Sequence, residues 1–291
     1  MDESDVQHRA RLFVAKVDIT NINEDLSPYL DAVGAKVIYE KLGDGESGYT
    51  IDVKGKPRIT INEQESEERK RFTVCHEIAH IVLNLPSSHG ELPSWSYAKR
   101  DFNETLCDMF ATELLMPYAT FKSKIPDEEP SIQVMEQLAS EFKASFPAIA
   151  SRYAALVDMP CAFVTIDKGI IRHASRSMSL RNAKIWIAPR TPVMQGSVAH
   201  RLRTEGHNRT ATEEVPQDLW FSDWQDGGDL WEISRHYAQF DQTVSLLWFD
   251  EEELPEIEPL KRRNSSRSDE ERGVSELTGE LPWPGRSRRK R

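Results

Sequence analysis

Arg69-Lys-Arg71-Phe72-Thr-Val74-Cys75-His76-Glu77-Ile78-Ala79-His80-Ile-Val82-Leu83 decides how the first half of this chain is read. Its apolar positions, Phe72, Val74/Cys75, Ile78/Ala79 and Val82/Leu83, recur at helical spacing and predict a buried helix. On that helix His76 and His80 stand one turn apart on one face, close enough to hold a single ion at roughly 2.0–2.1 Å from each nitrogen. Glu77 follows the first histidine, where a carboxylate can take a proton from metal-bound water and pass it to a leaving amine.

A hydrolytic zinc site also needs a third protein ligand and an open position for water. The segment Phe102 to Met116 predicts a second buried helix, with Phe102, Leu106, Met109/Phe110 and Leu114 apolar at helical intervals and Pro117 near its end. Glu104 and Asp108 are one turn apart on it. Glu104 can ligate while Asp108 accepts the other N–H of a ligand imidazole, which fixes the ring and raises its basicity. Glu113 points about 180° away from Glu104, at about 100° per residue, and is rejected as the ligand. The plain alternative is that Glu104 and Asp108 form a solvated helix face.

Upstream, a short helical pattern surrounds Ile19 to Leu26. Three alternating stretches follow, Ala35 to Tyr39, Tyr49 to Val53 and Arg58 to Asn62, with glycines and a Lys-Gly-Lys-Pro turn between them, and these predict a small antiparallel sheet. Residues 86–101 read as a polar loop between the two helices. Downstream, Ser131 to Phe142 and Lys143 to Leu156 read as a helix, a short turn and a helix. From Pro160 the composition shifts to β-branched and aromatic runs, Ala162 to Ile166, Lys184 to Ile187 and Thr243 to Phe249, with five of the seven tryptophans between Trp186 and Trp248. Beyond about Glu251 the chain is charge-rich and poor in core residues, which predicts disorder.

The two helices resemble a known family. Arg69-Lys-Arg71-Phe-Thr-Val-Cys-His-Glu-Ile-Ala-His80, followed by Glu104-x-x-Cys-Asp-x-Phe-Ala-x-Glu-Leu-Leu-Met-Pro117, is similar to the ImmA/IrrE family of bacterial metallopeptidases over roughly residues 15–120. The resemblance implies a minimal, gluzincin-like zincin fold with Zn2+ held by His76, His80 and Glu104. It also implies Glu77 as general base, with Asp108 supporting a ligand histidine. Cys75 and Cys107 depart from the pattern, standing where the family usually has a small residue such as Ala. By resemblance the substrate is a helix-turn-helix repressor of the phage-repressor type, cut at one site so that stress or mobile-element genes are derepressed.

The 291 residues are 38% hydrophobic, enough to bury a real core. The fold expected is α+β: a zincin domain over 1–125, a helix-turn-helix-like linker over 126–158, a second small α/β domain over 159–250 that is a candidate sensor, and a disordered charged tail over 251–291. No apolar run approaches the roughly 20 residues of a membrane span, and the first residues carry charges where a secretory signal has an apolar core, so a cytoplasmic protein is expected. Three cysteines at no disulfide-like spacing agree with a reducing compartment.

The net charge is −11, yet residues 261–291 hold ten Lys/Arg and five Asp/Glu, leaving the first 260 residues at −16. A body that acidic repels a polyanion, so direct nucleic-acid binding is not expected, and Lys143 to Arg152 offers only two basic residues to phosphates. His89 in the polar loop and His173 in the later domain are weak candidates for contacting an oxyanion. The competing reading is a non-proteolytic regulator or toxin–antitoxin-type binding module that retains the zincin fold. An intact Glu77 argues against it, because metal binding alone does not need that carboxylate.

Overall fold

The computed structural model describes residues 2–17, 25–43, 45–86, 102–221, 227–250 and 252. The predicted helical pattern at Ile19 to Glu24, the polar loop with His89, and nearly all of the charged tail lie outside the described residues. The chain divides into two compact units, one holding residues 1–124 and 136–148 and the other 125–135 and 149–277. No described helix is long and apolar enough to cross a membrane.

The first unit is built on two helices, α3 (Glu67–Leu83) and α4 (Phe102–Leu115). Ser66 caps α3, its side chain accepting from the Arg69 N–H at 3.3 Å, and Glu67 and Glu68 place negative charge on the first turn, where the helix dipole favours it. The helix ends at Asn84, which takes a left-handed conformation with φ 52° and returns its N–H to the last turn, with Pro86 two residues on. α4 is buried along Thr105 to Leu115 and stops before Pro117. Their shared core holds Cys75, Ile78 and Ala79 of α3 against Leu106, Cys107, Phe110 and Ala111 of α4. α1 (Glu3–Val17), which the sequence reading did not foresee, packs on α4, and α2 (Ser27–Val33) brings Tyr29 in to donate to the Leu114 carbonyl at 3.2 Å.

β1 (Lys36–Glu40), β2 (Gly48–Val53) and β3 (Lys56–Asn62) form the expected small sheet, but it is mixed rather than antiparallel. β3 is central; β2 pairs with it antiparallel through the tight Lys54-Gly55 turn, both residues at positive φ, and β1 pairs with it parallel. The hairpin occupies one edge of β3, so β1 can reach only the other, and the crossing connection makes it parallel. α5 (Tyr118–Lys124) follows α4, and the pair α6 (Ile132–Phe142) and α7 (Phe146–Leu156) appears where a helix, turn and helix were expected, with Lys143 at positive φ between them. The boundary between the units passes through both of these last helices.

The second unit carries a five-stranded antiparallel sheet in the order β5-β4-β8-β7-β6: β4 (Cys161–Asp167), β5 (Ile170–Arg176), β6 (Arg209–Pro216), β7 (Asp229–Tyr237) and β8 (Gln242–Trp248). With α8 (Met178–Asn182) and α9 (Val198–Glu205) it encloses a core around Val164, Ile166, Leu202, Phe221 and Leu247. The run Lys184 to Ile187, expected as a strand, is irregular. Its Lys184 and Ile185 N–H groups return to the Arg181 and Leu180 carbonyls of α8, while the Arg176 guanidinium donates to the Ile185 carbonyl and lies over the Trp186 ring at 4.7 Å. Both units mix helices with a sheet, and the fold is α+β.

Candidate metal centre

The helical spacing of α3 puts His76 and His80 side by side, with ring centroids 4.8 Å apart. Their Nε2 atoms approach to 3.0 Å, and α4 brings Glu104 to the same point, Oε2 at 3.0 Å from His76 Nε2 and Oε1 at 3.6 Å from His80 Nε2. Ligands of a tetrahedral zinc are separated by roughly 3.3 Å, given metal–ligand distances of about 2.0–2.1 Å. The spacing here brackets that value. Among the described residues, His76, His80 and Glu104 are the group whose donor atoms come together closely enough to hold a metal.

The other nitrogen of each ring is tied outward. His76 Nδ1 meets Asp108 Oδ1 at 2.8 Å, and His80 Nδ1 meets the Leu85 carbonyl at 3.2 Å. With Nδ1 of each ring held by an oxygen, both rings turn Nε2 inward, toward the Glu104 carboxylate. Asp108 is 1% exposed, as its place beside a buried ring requires. Two histidines and one carboxylate, the rings aligned by outer hydrogen bonds, are a donor set that suits zinc and leaves a coordination position for water.

Glu77, the residue after His76, is 2% exposed, and its Oε2 accepts a hydrogen bond from Thr50 Oγ1 of β2 at 2.8 Å. Burial alone would lower the His76 pKa, but the bonds to Asp108 and Glu104 outweigh it and the imidazole is pushed up to about 10. Burial likewise opposes the charge on Glu104, yet the bonds from His76 and His80 hold its carboxyl well below the usual carboxylate range. The hydrogen bonds among His76, Glu104 and Asp108 thus favour positive charge at the point where the three donor groups meet.

Glu113 is turned from this cluster into the structure: it accepts the Tyr118 N–H at 2.7 Å and faces Arg11 at 3.7 Å. Cys75 and Cys107 are buried thiols on the α3–α4 seam, in no disulfide, and burial pushes the Cys75 thiol up to about 12, so at neutral pH it is a protonated core residue. His173 lies buried on β5 in the second unit, in register with Thr165. Two participants were not foreseen. The Leu85 carbonyl could not be, because the helix C-cap aims it. Thr50 reads in the sequence only as the polar side of a strand.

Residues 30–153 match the family described as "IrrE N-terminal-like domain", a peptidase family; the segment includes β1 to β3, α3, α4 and all the residues of the cluster. No curated protein matches the chain. Among solved structures, one described as a Mycobacterium tuberculosis transcriptional regulator superposes with a TM-score of 0.56 at 13% identity, covering 84% of this chain and 76% of that one. At that identity the likeness is one of fold.

Proposed function

We propose, from the match of residues 30–153 to the IrrE N-terminal-like peptidase domain, that the chain is a zinc-dependent endopeptidase of the ImmA/IrrE kind with a gluzincin-like catalytic domain. The observation that carries the reading is the convergence of His76 Nε2, His80 Nε2 and the Glu104 carboxylate beside a buried carboxylate, Glu77, that is not needed to hold the ion. When bound, zinc acts as a Lewis acid on the scissile carbonyl and lowers the pKa of a coordinated water.

Glu77 would take a proton from the attacking water and deliver it to the leaving amine nitrogen, so one carboxylate would serve as base and then as acid. Asp108 and the Leu85 carbonyl hold the two imidazoles in the tautomer that presents Nε2. β2 is an edge of its sheet and contacts α3, so an extended substrate peptide can pair with its backbone and lie across the site.

The substrate we propose is a helix-turn-helix transcriptional repressor, cleaved at one site to derepress the genes it holds silent. The family resemblance suggests it. The charge agrees: a body of −16 over the first 260 residues attracts a basic DNA-binding protein and steers its approach.

Zinc content and cleavage should be measured together on wild type, Glu77→Gln and Glu104→Ala. The expectation is about one zinc per chain in wild type and Glu77→Gln, a large loss in Glu104→Ala, and repressor fragments by mass spectrometry with wild type alone. A wild-type chain that takes up no zinc on reconstitution would overturn the reading and leave the non-proteolytic regulator in its place.

A further inference from the structure

Glu77 is a long side chain with three rotatable bonds, nearly excluded from solvent, yet among the described residues a single hydrogen bond reaches it: the one from Thr50. A buried carboxylate with one donor has one oxygen held and the other open. Thr50 occupies the middle of β2, so its hydroxyl is carried by a paired strand and not by a loop.

The backbone geometry shows that the contact is built. Gly48 and Thr50 are two residues apart on β2 and share a face; Thr73 and Glu77 are four apart on α3 and share a face. A Cβ at Gly48 would lie 2.7 Å from Thr73 Cγ2 and 2.8 Å from the Thr60 carbonyl oxygen, so the missing side chain lets strand and helix approach at that level. One turn further along α3, the same approach delivers the Thr50 hydroxyl to Glu77 Oε2 at 2.8 Å. Thr73 does not share this role, since its own hydroxyl donates back to the Arg69 carbonyl at 2.9 Å.

We propose that Thr50 is a positioning residue for Glu77: its hydroxyl fixes Oε2, so that Oε1 is the oxygen presented to receive a proton. The inference rests on the peptidase reading above and adds to it the device that holds the base. It also explains why a polar residue stands at this place in an edge strand. A peptide pairing with β2 would seat its backbone beside the residue that holds the base, so substrate and base would be registered by one element.

Acetohydroxamate tests this on the zinc-loaded full chain without a known substrate, because its two oxygens occupy the metal while its hydroxyl proton passes to the neighbouring carboxylate. Thr50→Val keeps the shape and removes the donor. It is expected to weaken acetohydroxamate by roughly 10-fold or more, the range for losing a hydrogen bond to a charged group, with zinc content unchanged. Thr50→Ser should restore binding to within about twofold of wild type, and Thr50→Val should add no further loss in a Glu77→Gln background.

Wild-type affinity in folded Thr50→Val, or an equal loss with Glu77 already replaced, would overturn the role of Thr50 and leave the peptidase reading standing. Zinc-loaded wild type that does not bind acetohydroxamate would overturn both. Thr50→Ala gives the same comparison if the valine variant does not fold. Once a cleaved protein is in hand, Thr50→Val should lower kcat with KM unchanged and Thr50→Ser should restore it, which a packing defect would not do selectively.

Discussion

His76 uses both ring nitrogens, and its chemistry follows from what each one meets. Nδ1 faces Asp108 and Nε2 faces Glu104, so two carboxylates flank one imidazole, and the ring is pushed up to about 10 even though burial alone would lower it. The metal-free site therefore carries its proton at neutral pH, and zinc must displace it. The linkage has a definite sign. A histidine raised from about 6.5 contributes stability that is complete below that value and is lost as pH rises through about 10. Metal-free protein should accordingly lose stability over that window. Zinc binding should release a proton at pH 7, and zinc affinity should climb as pH rises. Calorimetric titration in two buffers of different ionisation enthalpy reads the release directly, and a release of zero protons would show that His76 is already neutral. The relation of His76 and His80 to each other, and of Glu104 to Asp108, was legible in the sequence because helical periodicity turns spacing into direction. The Thr50 contact was not, since a strand hydroxyl 27 residues from its partner reads the same whether it faces a helix or water.

At the level of elements, α3 is more than a carrier of two histidines, because the way it ends aims one of them. Asn84 adopts the left-handed conformation with φ 52°, its N–H returns to the His80 and Ile81 carbonyls, and the chain reverses so that the Leu85 carbonyl meets His80 Nδ1 at 3.2 Å. Asparagine and glycine tolerate this conformation and β-branched residues do not. Asn84→Gly should therefore leave stability and zinc content close to wild type, whereas Asn84→Val should cost about 1–2 kcal/mol in urea unfolding and weaken zinc as the carbonyl turns away. Equal behaviour of the two variants would mean that the cap does not orient His80. The existence of β2 and β3 was legible from alternation and the Lys-Gly turn, but the parallel pairing of β1 was not, because alternation marks a strand and not its partner. The run Lys184 to Ile187 misled for a related reason: buried β-branched residues look like a strand even when the end of α8 and the Arg176 side chain, and no ladder, take their backbone hydrogen bonds.

Over the whole molecule, the ligands of the candidate metal centre all belong to the first unit, while the second has its own polar anchor, Glu232 on β7. That carboxylate is completely buried and accepts four hydrogen bonds: from the Val198 and Ala199 N–H groups at 3.0 and 2.7 Å, from Trp220 Nε1 at 2.9 Å and from Ser234 Oγ at 2.7 Å. It joins the start of α9, the 220 region and the sheet at one point. Nothing in the sequence flagged it, since one glutamate among 48 acidic residues looks like surface until its strand and the helix that meets it are known. The shift at Pro160, by contrast, was legible, because a run of β-branched and aromatic residues is what a sheet buried on its faces requires, and β4 begins at Cys161. Replacing Glu232 with alanine leaves three buried N–H donors without an acceptor, Ser234 Oγ keeping Ser245 Oγ at 2.6 Å, at about 1–3 kcal/mol for each that finds no substitute, so Glu232→Ala should destabilise the second unit by at least about 3 kcal/mol. Tryptophan fluorescence during urea unfolding is suited to the measurement, as the described tryptophans, Trp186, Trp220, Trp231 and Trp248, all lie in that unit. Zinc content measured without urea should stay at the wild-type level, because no ligand or ring partner of the centre comes from β7, α9 or the 220 region. A loss of zinc alongside the loss of stability would show that the metal centre depends on the second unit's core. An unfolding midpoint unchanged from wild type would show that the three N–H donors are satisfied without the carboxylate.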